Sequence, residues 1–218
     1  MKKVLSFVWP QTRKITTDFN GVLELTWING RKVLDSKNAN YSYGALQLIL
    51  EEGMSKIDLK KVNSILLLGL GGGSMIASLK NKFNYQERLD IVELDQKVIA
   101  IAEQEFDILN FENLTVINHD AYDFVQQTTE YYDLIVVDLF IDQDVPAQFL
   151  TNVFCENLSN RLNEKGAVLY NLGINLDKED QPYQVINYFE KNPRYRATVL
   201  ERVNGTNTLV IAQKNHVE

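Results

Sequence analysis

The stretch SILLLGLGGGSMIASLKNKF, Ser64 to Phe83, decides how the chain is read. An apolar run, Ser64 to Leu68, meets the turn Gly69-Leu70-Gly71-Gly72-Gly73 and then a helical pattern from Ser74 to Lys82. Strand, glycine turn and helix in that order let bare backbone and the first N–H groups of a helix come close to a ligand. Ser74 stands where a dinucleotide fingerprint wants its third glycine. No lysine followed by Ser or Thr comes after the turn, which excludes a nucleotide-triphosphate loop.

Outward from the turn, strand and helix alternate. Strands are predicted at Ser64 to Leu68, Asp90 to Glu93, Leu114 to Asn118, Leu134 to Val137 and Ala167 to Asn171. Helices are predicted near Ser74 to Lys82, Gln96 to Phe106, Ala121 to Gln127, Pro146 to Leu162 and Gln181 to Glu190. Runs such as ILLL and LIVV are apolar on both faces, as a sheet covered by helices on both sides requires. RATVLERVNGTNTLVIAQK closes the pattern with two strand-like runs around Asn204-Gly205, hence an antiparallel hairpin. The fold class is α/β: a Rossmann-like, seven-stranded sheet of the methyltransferase type, mostly parallel, with a reversed strand near its end. Residues 1–40 read as a small N-terminal β region, with strands in VLSFVWP, KITTDFN and a hairpin at Asn29-Gly30; residues 41–218 read as the catalytic domain. Near the start of the second region, YGALQLILEEGMSK turns helical, with Leu46, Leu48, Ile49 and Leu50 toward one side.

A net charge of −7 argues against a broad nucleic-acid surface and favours a small cationic or neutral substrate. No run approaches the roughly 20 apolar residues of a membrane span. The single cysteine, Cys155, has no internal disulfide partner, and a cytoplasmic location is expected. His119 and His216 are the only histidines, too few for a metal cluster, so no metal is expected.

Three further strand ends carry acids: Glu93 in VELD, Asp120 in NHDAYDFV and Asp138 in YDLIVVDLFIDQDVPAQF. Glu93 lies about 20 residues past the turn, where a carboxylate accepting at both oxygens suits ribose hydroxyls. Ligands of open α/β sheets bind at the carboxyl ends of the strands, so these acids and the turn should converge on one adenosine pocket. Each has a plainer reading as a helix cap, Asp120 above all.

These residues resemble the spermidine synthase family, the polyamine aminopropyltransferases, whose core is shared with class I S-adenosylmethionine-dependent methyltransferases. The resemblance spans most of the chain, including YSYGALQ at Tyr41 to Gln47. It implies that Gly69, Gly71, Gly72 and Gly73 face the donor, that Glu93 holds the ribose, and that Asp120 with Ala121 holds the adenine. It also implies that Asp138 orients or deprotonates the acceptor, that Tyr43 walls the substrate pocket and that Asp142 roughly matches the family's second acid. A homodimer paired through the N-terminal strands is implied as well.

The turn departs from the family's Gly-Gly-Asp-Gly-Gly. Gly72 replaces the aspartate that grips the aminopropyl end of the decarboxylated donor, and Asn171 to Ile174 replaces Gln-Gly-Glu. A buried ammonium needs a paired acid, so the turn favours ordinary S-adenosylmethionine and methyl transfer to a small acceptor, an amine or hydroxyl. The alternative is aminopropyl transfer from decarboxylated S-adenosylmethionine, with Asp142 or Asp144 taking the lost role. A third reading is an adenosyl-binding protein without catalysis.

Overall fold

The computed structural model describes residues 2–36, 45–174 and 181–215. It opens on a four-residue helix, α1 (Lys2–Leu5), followed by an antiparallel meander of β1 (Gln11–Thr16), β2 (Val22–Ile28) and β3 (Arg31–Asp35). Asn29 and Gly30 take φ of 50° and 75°, as the two-residue hairpin demands. VLSFVWP therefore corrects a strand expectation. Its β-branched and aromatic content reads as strand, but its backbone serves the hairpin turn. Asn29 N–H donates to the Ser6 carbonyl at 3.1 Å and Gly30 N–H to Ser6 Oγ at 3.0 Å. The turn's open donors are met from outside the meander.

After α2 (Ala45–Met54), the main sheet is built from β4 (Ser64–Leu68), β5 (Arg88–Glu93), β6 (Leu114–Asn118), β7 (Tyr132–Val137), β8 (Leu162–Ile174), β9 (Tyr195–Val203) and β10 (Asn207–Lys214). Their spatial order is β6-β5-β4-β7-β8-β10-β9, with β10 antiparallel to both neighbours and β4 to β8 pairing in parallel. The connections carry α3 (Ser74–Asn81), α4 (Gln96–Glu105), α5 (Ala121–Gln127), α6 (Asn152–Ser159) and α7 (Tyr183–Lys191). Period-two alternation in β4 feeds two cores. Ile65 and Leu67 pack with Ile49, Met75 and Ile99 from α2, α3 and α4. Leu66 and Leu68 pack with Val125, Phe154 and Phe189 from α5, α6 and α7. The small sheet joins through Leu23, Leu25 and Leu34, which pack on Val98 and Ile101 of α4.

Two other expectations are corrected. Pro146 to Leu162 is not one helix: a 3₁₀ turn at Ala147–Leu150 ends where Thr151 becomes extended, and the Thr151 hydroxyl caps α6 by accepting Phe154 N–H. Leu162 already pairs with Tyr132 as the start of β8. In α2, Ile49 and Leu50 are buried but Leu48 is 52% exposed, which narrows the apolar stripe.

The chain builds outward from β4 through β5 to β6, then returns to β7 on the other side of β4. Such a reversal opens a crevice beyond the strand ends, here those of β4 and β7. Gly69 sits at its floor, with its N–H donating to the Val92 carbonyl while Asp138 N–H donates to Leu68, both at 2.9 Å. Gly69 has φ +95°, and a Cβ there would stand 2.2 Å from the Asp138 carbonyl oxygen. Gly69→Ala is expected to cost about 2–4 kcal/mol. Gly21→Ala, at φ +65° but in open space, should cost about 1–2 kcal/mol. Urea denaturation of both variants checks the difference.

Candidate functional site

A cavity of about 390 Å³ fills the crevice, within the range of small-molecule sites. Gly69, Gly71, Glu93, Asp120, Ala121, Asp138 and Asp142 all line it, so one cavity collects residues from four strand ends and a loop. Tyr43 lies outside the described residues. Gly72 and Gly73 are buried. Gly73 has φ +75°, and Ile108 Cγ2 lies 2.5 Å from where a Cβ would stand, so its missing side chain serves the packing of α3 on Ile108.

Glu93 ties the turn to the next helix. Its Oε2 accepts Leu70 N–H at 3.0 Å and its Oε1 accepts Asp95 N–H at 2.9 Å. Burial pushes this carboxyl above its ordinary value, and backbone donors from Asp95, Leu70 and Leu94 oppose the shift. A carboxylate can accept at both oxygens, the capacity that paired hydroxyls need.

Asp95 itself is fully buried. Its Oδ1 caps α4 through Lys97 N–H at 3.0 Å, and its Oδ2 accepts Phe19 N–H at 3.2 Å and Asn20 Nδ2 at 3.1 Å. Burial alone would raise this carboxyl, but donors from Phe19, Lys97, Thr17 and Asn20 hold it below the usual range. The β1–β2 loop is thereby latched to the main sheet, and Phe19 and Asn20 become walls of the cavity. Sequence reading missed this latch: Asp95 stands in VELD, but the partner it binds lies 76 residues away.

Asp120 performs the cap its position suggested, with Oδ1 accepting Tyr122 and Asp123 N–H at 2.7 and 3.1 Å, and it lines the cavity as well. Asp138, at the end of β7, is pushed up to about 6 by burial, against which a hydrogen bond from Asn171 works. In the following loop, Ile141 and Asp144 exchange backbone hydrogen bonds of 3.0 and 3.2 Å. This tight turn sets Asp142 at φ +57°, where the Ser36 hydroxyl donates to its Oδ1 at 2.7 Å. Asp144 is exposed.

Other chemistry-bearing residues are accounted for locally. His119 Nδ1 meets the Asp120 carbonyl at 3.0 Å. Cys155 is buried in α6, and burial pushes its thiol up to about 12. Among the described residues, no group of three His, Cys, Asp or Glu side chains is placed to hold a metal, and no helix is long and apolar enough to cross a membrane.

The model of the spermine/spermidine synthase domain matches residues 48–215. The chain belongs to the spermine/spermidine synthase family. A polyamine aminopropyltransferase of Yersinia pestis is 27% identical over 185 residues, 78% of this chain and 61% of that protein. The first curated relatives are longer than this family member, which spans 24% to 61% of their length. Among solved structures, a probable spermidine synthase from Corynebacterium glutamicum superposes with TM-score 0.67 at 17% identity, covering 94% of this chain and 77% of that one. Human methyltransferase-like protein 13 in complex with SAH superposes with TM-score 0.62 at 20% identity, covering 79% and 83%. At these identities the structural likeness establishes the fold.

Asp138 makes stability depend on pH. Its ordinary value is 3.8 and its folded value about 6. Between these, the folded state keeps a proton that the unfolded chain has released, so stability falls as pH rises through the window and the cost is complete above it. Asp138→Asn is expected to stabilise the protein by about 2 kcal/mol near pH 7.5, with the gain vanishing near pH 4. Thermal melts at both pH values check this.

Proposed function

We propose that this chain transfers an aminopropyl group from decarboxylated S-adenosylmethionine to a small amine. The observation that carries the reading is the charge of the cavity: Glu93, Asp120, Asp138 and Asp142 line it, and no Lys, Arg or His does so among its described lining residues. A donor bearing sulfonium and ammonium complements those acids. Ordinary S-adenosylmethionine would bring in another carboxylate, and like charges repel strongly in a partly desolvated site. The name of the Yersinia relative supports the same reading. The preference thus moves from the methyl transfer suggested by the glycine turn to the alternative.

In this reading Glu93 holds the ribose hydroxyls, and Asp120 with Ala121 holds the adenine. The first part of the turn, Gly69 to Gly71, lies along the donor's sulfonium arm. Asp142, fixed by Ser36, takes the donor ammonium that finds no acid at Gly72. Tyr43 walls the acceptor site. Asp138 meets the acceptor, orients its nitrogen in line with the C–S bond and takes the proton that the ammonium must lose before attack. The nitrogen lone pair then forms the N–C bond, and the C–S pair leaves on sulfur as 5′-methylthioadenosine. Val4, Phe7, Val8 and Trp9 are exposed apolar residues at the N-terminus, a surface suited to the pairing of two copies.

Methyl transfer stays as a second reading because position 72 has no carboxylate. Mass spectrometry of reactions containing each donor and a panel of diamines separates the two. Methylthioadenosine and an aminopropylated amine are expected, with Asp138→Asn lowering turnover by about 10²–10⁴-fold. S-adenosylhomocysteine and a methylated acceptor would overturn the proposal.

A further inference from the structure

Asp138 ends a chain of buried amides. Asn171 of β8 and Asn207 of β10 are 0% and 6% exposed. Asn171 Nδ2 donates to Asp138 Oδ1 at 2.9 Å, while Asn171 Oδ1 accepts Asn207 Nδ2 at 2.9 Å and Gly173 N–H at 3.2 Å. We infer that Asn207 and Asn171 are positioning residues that fix Asp138 Oδ1 and leave Oδ2 to meet the acceptor amine, Asn207 acting only through Asn171.

The direction of the chain follows from chemistry. Gly173 N–H can only donate, so the amide edge facing it must be the Asn171 oxygen. Turning the Asn171 amide over would set its NH₂ against two donors and its oxygen against a carboxylate. Buried polar groups left so mismatched are costly, which allows one orientation. Asn207 sits where the register of β10 shifts against β8 and β9, between Asn207 and Leu209. That irregularity, next to the Asn204-Gly205 turn, sets its side chain against Asn171, and Asn207 also lines the cavity. The reversed strand thus reaches the reaction site. This also gives a purpose to Asn171 in the stretch that replaces the family's Gln-Gly-Glu.

The inference rests on the reading of Asp138 as the group that meets the acceptor, and the test separates the two. Carboxyl ¹³C NMR of the intact chain, with Asp138→Asn to assign the signal, reads the titration of Asp138 without any donor or acceptor. Asn171→Leu is expected to move its midpoint up by about one pH unit, since a hydrogen bond to the charged form is lost. Asn207→Leu should move it by roughly half as much, and the double variant no further than Asn171→Leu alone, the non-additivity of residues acting in series. If Asn207→Leu does not fold, Asn207→Ala, which only removes atoms, replaces it. In turnover, the acid limb of the kcat profile should shift with the midpoint in each variant, while KM for the donor stays within about twofold. An unmoved midpoint in the Asn207 variants, or additive shifts in the double variant, would overturn the relay. Midpoints that move as expected while the kcat profile stays put would instead overturn the role of Asp138 in the reaction.

Discussion

The backbones of β4 and β7 leave the sheet so close together that nothing larger than a hydrogen fits on Gly69, where a Cβ would stand 2.2 Å from the Asp138 carbonyl. The rest of the site follows from that approach. It bends the turn toward Glu93, starts α3 beside the crevice and holds Asp138 at its floor. The switch of strand order at β4 makes the crevice; the absence of a side chain at Gly69 lets both walls close on it.

Concentrating acids in one cavity is unfavourable unless each is answered. Glu93 and Asp120 are answered by backbone N–H groups, Asp142 by the Ser36 hydroxyl, and Asp138 by the Asn171 amide. All of these donors are neutral. They orient the carboxylates without adding positive charge, which suits the cationic ligands proposed for the site. Asp95 differs: it is withdrawn from the cavity and uses its buried carboxylate to latch the small sheet's loop to α4.

Much of this was legible in the sequence because it is local. Apolar runs of strand length such as ILLL report a sheet covered on both sides, Asn-Gly pairs report hairpins, and acids at successive strand ends report the crevice. What escaped depends on partners far away along the chain. VLSFVWP has strand composition, but its Ser6 carbonyl and hydroxyl cap a turn more than twenty residues later. Thr151 is a local exception: its hydroxyl caps α6 through Phe154 N–H, three residues on, inside a run whose apolar pattern reads as one helix. Asn207 lies in a turn-like NGTN, and only the register of β10 brings it to Asn171. The proposed preference for aminopropyl over methyl transfer draws on the same kind of long-range information. A motif reports one missing acid at Gly72, whereas the charge of a cavity is a sum over segments brought together by folding.

The central claim is that this sum selects a dicationic donor. Calorimetric titration of the intact chain with S-adenosylmethionine and with its decarboxylated form, at matched salt and pH, tests it most directly. The decarboxylated donor should bind at least about tenfold more tightly, a difference of roughly 1.4 kcal/mol, and the gap should shrink as salt is raised. Equal affinities, or tighter binding of the carboxylated donor, would contradict the claim.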